Sequence, residues 1–231
     1  MKTAKCLLTL LTTINLPLIS LQVYAQETTM DNHDQPPVFN GCVLQPETNC
    51  AGADLRGANM ANLDLTGANF TNARLNECNL THSLLANANF EGADMQGCQL
   101  TRADLRHANL RRANLSHSQL QAINGWALFA QGAQFDHADL SAANLEFSRL
   151  TGASFTSAVL NYASLEMAWA NKINLEQASL VNTNLQEAKL SNSNMKKANL
   201  TGARLHYANF MDINMVECIA CPTNWQKYWE K

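Results

Sequence analysis

Ala103-Asp104-Leu105-Arg106-His107-Ala108-Asn109-Leu110-Arg111-Arg112-Ala113-Asn114-Leu115 reads three times as small residue, Asn or Asp, leucine, at intervals of five. The interval holds far beyond this stretch. Every fifth residue from Leu55 to Met215 is a centre, 33 in all, and 30 of them are Leu, Phe or Met. Two residues before each centre, Ala fills 21 of the 33 positions and Cys, Ser or Thr seven more. The residue just before the centre is usually Asn or Asp, and the phase does not slip. The exceptions among the centres are Gly125, Ala130 and Ala170.

A period of five fits neither an α-helix, at about 3.6 residues per turn, nor a flat strand, at about two. It fits a chain that turns a corner every five residues. The large residue and the small one two before it then point inward, and the other three face water. Asn and Asp suit the corners because their side chains bond nearby backbone. Gly57, Gly67, Gly92, Gly97, Gly132, Gly152 and Gly202 each stand two after a centre, where a positive φ is useful.

The pattern A-(D/N)-L-x-x over residues 48–217 resembles the pentapeptide-repeat proteins. That resemblance implies an all-β fold, a right-handed quadrilateral parallel β-helix with four pentapeptides to a coil. About eight coils would stack about 4.8 Å apart in a rod of about 40 Å. Each coil would bury its core only against its neighbours. The match is specific for fold and says little of function, because the fold is a scaffold.

The flanks read differently. Lys2 and Lys5 precede a mostly apolar run from Leu7 to Leu21, and Val23-Tyr24-Ala25 follows. This reads as a secretory signal peptide, residues 1–25, cleaved before Gln26. The apolar run is about 15 residues and includes Asn15 and Pro17, short of the roughly 20 that span a bilayer. No stable membrane insertion is expected, and the compartment is periplasmic or secreted. Residues 26–47 form an N-terminal linker and leading cap, 48–217 the β-helix, and 218–231 a C-terminal cap. Trp225, Tyr228 and Trp229 fall on one face of a short helix there. They would cover the open end of the β-helix, or make a homodimer through that end, as related proteins of this fold often do.

Six cysteines remain after the leader: Cys42, Cys50, Cys78, Cys98, Cys218 and Cys221. An even number in an exported chain suggests disulfides. With twenty residues to a coil, residues twenty apart become vertical neighbours. Cys78 and Cys98 then replace the inward alanine on adjacent coils, within disulfide reach. Two reduced core thiols are the alternative. Cys218-Ile219-Ala220-Cys221 lacks the helix start and βαβ setting of a redox motif and reads as a terminal clip.

The same map gives an outward column of Asp54, Arg74 and Asp94, and another of Glu91 and Arg111, both expected as ion-pair ladders. Asn174, Asn194 and Asn214 form an expected amide ladder. His117 and His137 stack at a corner, too few to make a metal site. Phe129 and Trp169 directly precede the exceptional Ala130 and Ala170. One reading turns these aromatic residues inward through a local bulge. The other keeps the phase and aligns Phe129, Arg149, Trp169 and Lys189 in one outward column, with Trp126 on the adjoining face. That column would be a partner patch with cation–π contacts.

No catalytic, cofactor-binding or metal-ligating arrangement is read in the chain. Ser193-Asn194-Met195-Lys196 matches S-x-x-K but arises within the repeat and lacks companion motifs. Without residues 1–25 the chain has 14 Lys and Arg against 19 Asp and Glu, a net −5 in place of −3. Nucleic acid is not an expected partner, since backbone binding needs a basic surface. The function expected is an exported scaffold, without catalysis, that holds a protein partner not identified by the sequence. The alternative comes from the resemblance: a DNA mimic that binds type II topoisomerase and protects it from quinolones. Such relatives are cytoplasmic and strongly acidic, whereas this chain carries Arg102, Arg106, Arg111 and Arg112 near its middle.

Overall fold

The structure is a computed structural model and describes residues 35–223. The leader, residues 26–34 and the aromatic triplet Trp225, Tyr228 and Trp229 lie outside the described residues. A hairpin of β1 (Val38–Phe39) and β2 (Cys42–Val43) comes first, turning through Asn40 and Gly41 at positive φ. After it the pentapeptide pattern takes over. The residue before each centre makes a parallel bridge to the residue twenty further on, from Asn49↔Asn69 to Asn199↔Ile219. Twenty residues therefore make one coil, with four pairing sites around it.

One repeat accounts for its backbone donors almost completely. Between the first and second coils Leu55 N–H donates to Arg74 C=O, Gly57 N–H to Asn76 C=O, and Arg74 N–H returns to Ala53 C=O. Ala58 N–H closes a turn on Leu55 C=O at 3.1 Å. The residue two after the centre takes a positive φ, 67° at Gly57 and 61° at Asn62, the mark of a type II turn. Many corners manage this without glycine, even at Phe147 (57°) and Tyr162 (61°). No Val, Ile or Thr occupies any such position from 47 to 217, because β-branching makes that region costly.

The fifth amide belongs to the residue after the centre, and it explains the Asn and Asp. Asn89 Oδ1 accepts from Glu91 N–H at 3.1 Å, and Asp64 Oδ1 from Thr66 N–H at 3.0 Å. The side chain thus satisfies a corner donor that no neighbouring coil reaches. The same amides also link coils: Asn194 donates to Asn174, and Asn214 to Asn194, each at 3.0 Å.

Centres and small positions line the core. Leu55, Phe70, Leu105, Leu145 and Leu185 are fully buried, as are Ala58, Ala108 and Ala188. Phe70 stacks on Phe90 at 5.0 Å between centroids, and Phe135 on Phe155 at 4.8 Å. The structure pairs Cys42 with Cys50, Cys78 with Cys98, and Cys218 with Cys221. The 4.7 Å between the α-carbons of Cys78 and Cys98 is also the coil spacing.

Buried hydroxyls at the small positions all find carbonyls. Ser83, Ser118, Ser148 and Thr183 donate to Leu80, Met95, Leu145 and Leu160. Ser193 does more. Its Oγ donates to Ala170 C=O and accepts from Ile173 N–H, replacing the turn bond that other corners make directly. Ser193→Ala should therefore orphan a buried donor and cost about 1–3 kcal/mol. Ser148→Ala should cost less than about 1 kcal/mol, because Leu145 C=O keeps its bond from Ser148 N–H. Denaturant melts of the two variants compare them, and equal costs would refute the assignment.

The charge ladders differ from expectation. Asp54 meets Arg74 at 3.5 Å, but its close partner is Arg56 at 2.6 Å. The hydrogen-bonded Arg56 guanidinium holds the Asp54 carboxyl down at about 2. Glu91 and Arg111 do not pair. Asn109 stands between them, donating to Glu91 Oε2 at 3.3 Å and accepting from Arg111 at 3.4 Å. Arg111 reaches the next coil instead.

Candidate functional site

One side of the β-helix starts with an amide column and then abandons it. Asn49, Asn69, Asn89 and Asn109 give way to Phe129, Arg149, Trp169 and Lys189 before Asn209 resumes. The bridges Asn109↔Phe129↔Arg149↔Trp169↔Lys189↔Asn209 are unbroken. No bulge forms, and Ala130 and Ala170 stay fully buried at centre positions. Trp169 is 59% exposed. Phe129 is half-buried and Arg149 exposed. The inward reading of the two aromatic residues is thus wrong, because the regular ladder leaves their Cβ atoms on the outer face.

Leu128 explains how the phase survives Gly125. It is fully buried at a position that most often carries alanine. Its Cδ2 lies 3.5 Å from where a Gly125 Cβ would sit. Large and small have exchanged places, and the aromatic residues are not needed inside. Ile173 is likewise buried at the small position just after Ala170.

Cations frame the stripe. Arg149 stands over the Phe129 ring at 5.3 Å, and Arg111 covers the same ring at 5.0 Å. The cation–π contacts expected of this column form on Phe129 alone, from two arginines, and among the described residues no cation stands over the Trp169 ring. Along one flank Trp126 packs edge-on against His107 at 5.0 Å and tilts against Phe147 at 5.6 Å. Trp126, Phe147 and Met167 remain partly exposed there. On the other flank a cleft of about 290 Å³ is lined by Gln131, Arg149, Thr151 and Trp169.

Losing Asn and Asp from this column has a second effect. No side-chain acceptor is left for the corner amides of Gln131, Thr151, Asn171 and Ser191. Among the described residues these four successive N–H groups donate to no protein acceptor, whereas the corner amides of Thr71, Glu91 and Arg111 lower on the same face bond to Asn69, Asn89 and Asn109. Gln131 Oε1 is also buried without a partner. The face therefore presents a row of backbone donors beside alternating aromatic and cationic side chains.

Elsewhere the surface offers less. His117 and His137 stack at 4.9 Å with nearly parallel rings. A broader recess includes Arg56, Arg74, Glu77, Asp94 and His117, where mixed signs largely cancel.

The family model described as pentapeptide repeats matches residues 48–85, 83–121, 138–177 and 178–215, in eight copies. The chain belongs to the pentapeptide-repeat family. Its right-handed β-helix is the family fold. The interval 122–137, left unmatched, holds Gly125, Trp126, Leu128, Phe129 and Ala130, so the departure from the repeat coincides with the start of the aromatic stripe. Among solved structures, the chain is similar to HetL from Nostoc sp. strain PCC 7120, a pentapeptide-repeat protein involved in heterocyst differentiation regulation. The two are 27% identical over 75% of this chain and 83% of that one, with a TM-score of 0.38. A trypsin-treated form of QnrB1, a plasmid-mediated fluoroquinolone resistance protein, is 16% identical over 69% of this chain and 80% of that one. Its TM-score is 0.52, a likeness of fold alone. No curated protein sequence matches the chain.

Proposed function

We propose that this protein is an exported, non-catalytic scaffold that holds a protein partner on the face bearing Phe129, Arg149, Trp169 and Lys189. The observation that carries this is the four-coil replacement of a self-satisfying amide ladder by outward-facing aromatic and cationic residues. Lower on the same face Asn69, Asn89 and Asn109 bond to the chain itself; here the four positions turn that capacity outward. Aromatic residues and arginine are the side chains that anchor most interfaces. Export rests on residues 1–25, whose basic start, apolar run and Val23-Tyr24-Ala25 ending suit a cleaved leader. We further propose about eight coils, with residues 218–231 as a terminal cap. A topoisomerase-protecting DNA mimic would need a dense negative field, and the candidate face is cationic.

Photo-crosslinking tests this reading in cells. A crosslinking amino acid at Thr151, inside the cleft, is expected to give a discrete adduct. One at Val159, on the opposite side of the coil, is expected to give none. The Thr151 adduct should vanish in a Trp169→Ala/Arg149→Gln background. Adducts at both positions, at neither, or unaffected by the double substitution would overturn the proposal.

A further inference from the structure

We infer that the partner offers an acidic, proline-rich segment in the polyproline II conformation, lying along the coil axis on the Phe129–Lys189 stripe. This rests on the reading of that face as the partner surface and names its ligand.

The charge is one-sided. Arg111, Arg112, Arg149, Lys172 and Lys189 lie on this face or its corner, and among the described residues none of them is in an ion pair. Two of the three acids on the opposite corner are engaged elsewhere. Glu146 accepts from Ser164 Oγ at 2.9 Å, and Glu166 from Asn184 Nδ2 at 2.8 Å, both on the neighbouring side. Glu187 lies one coil further along that corner.

The backbone hydrogen-bonding capacity is one-sided too. The amides of Gln131, Thr151, Asn171 and Ser191 are donors, as are Arg149 and Lys189. A complementary ligand must be rich in acceptors and poor in donors. Proline residues supply a carbonyl and no N–H. A glycan would bring a hydroxyl donor at nearly every carbon, and the backbone carbonyls of Gln131, Thr151, Asn171 and Ser191 already accept from Arg112, Gly132, Gly152 and Lys172.

Register selects the conformation. Arg149 and Lys189 are two coils apart, about 9.4 Å at the 4.7 Å spacing between Cys78 and Cys98. A polyproline II helix returns a side chain to the same face every three residues, about 9.3 Å. A β-strand returns one every two residues, about 6.7 Å, and falls out of step with the coils. In an acid-Pro-Pro-acid segment the acids would oppose Arg149 and Lys189. The two prolines between them would straddle Trp169, as proline-rich ligands use aromatic grooves.

The probe is a synthetic peptide of four Glu-Pro-Pro repeats, titrated calorimetrically into the mature protein. Saturable binding is expected, with at least tenfold loss for Trp169→Ala and for Arg149→Gln, and partial rescue by Trp169→Phe. A Glu-Pro repeat of equal charge and a Lys-Pro-Pro repeat should each bind at least tenfold more weakly. Unchanged folding of the variants is checked by thermal melts. Equal binding of the Glu-Pro repeat, an unchanged Kd for Trp169→Ala, or no saturation by about 1 mM overturns the inference. Tighter binding of oligothymidylate or polygalacturonate at the same residues overturns it in favour of that ligand class. A Thr151 adduct that persists while the Glu-Pro-Pro peptide fails to bind would sink this inference and leave the scaffold reading standing.

Discussion

Replacing Gly125 by leucine is expected to destabilise the protein by about 1–3 kcal/mol, although it brings the chain closer to its own repeat. A Cβ at Gly125 would already lie 3.0 Å from Leu145 Cδ2 and 3.1 Å from Asn144 C=O. A full leucine must displace Leu128 or push two coils apart. Leu128→Ala alone should cost about 2–5 kcal/mol, because it opens a cavity beside a glycine that cannot fill it. The double variant Gly125→Leu/Leu128→Ala restores the ordinary arrangement, large at the centre and small two before the next. It should return most of the lost stability. Urea melts of the four proteins form a double-mutant cycle. If the two costs simply add, the exchange of large and small is not what fills this coil.

That exchange shows where reading the sequence succeeded and where it stopped. The five-residue period was legible because every side of every coil makes the same demand: one large and one small inward residue. The twenty-residue register was legible because it follows from four sides. The fate of Gly125 was harder. Attention fell on the missing leucines and the neighbouring aromatic residues. The compensating signal was Ile123, Leu128 and Ile173, large residues at positions that should be small. Counting misfits at both inward positions, and not only at the centres, would have kept Phe129 and Trp169 outside.

The candidate face was partly legible for a similar reason. The column of Phe129, Arg149, Trp169 and Lys189 follows from spacing alone. Arg111 does not, because it sits at a corner and its long side chain chooses between Glu91 and Phe129. Asn109 occupies the space toward Glu91, and the guanidinium turns to the ring. The free corner amides were also missed. Their signal was the loss of Asn and Asp from four successive coils. It becomes readable only once those residues are seen to serve the N–H two places on, as Asn89 serves Glu91.

Phe135→Ala is the other large effect, about 3–5 kcal/mol, and its manner should be as telling as its size. Phe135 is buried and stacks on Phe155 at 4.8 Å with rings 7° from parallel. Its coil also holds Gly125 and Ala130, which already give up two large centres. In a solenoid each coil is stabilised by its neighbours alone, so a cavity here weakens the joint between two regular stretches, residues 48–121 and 138–215. Hydrogen exchange should show protection lost first between about residues 115 and 155, and melting should broaden toward two transitions. Phe210→Ala, in a coil where Leu205 and Met215 are already half-exposed, should loosen that end and leave the joint intact. A single sharp transition for Phe135→Ala, merely shifted, would mean that Leu128 has made the irregular coil as strong as its neighbours. The aromatic stripe would then stand on a rigid support throughout. With a weak joint, Phe129 and Trp169 instead straddle the place where the rod yields, and a ligand spanning them would stiffen it.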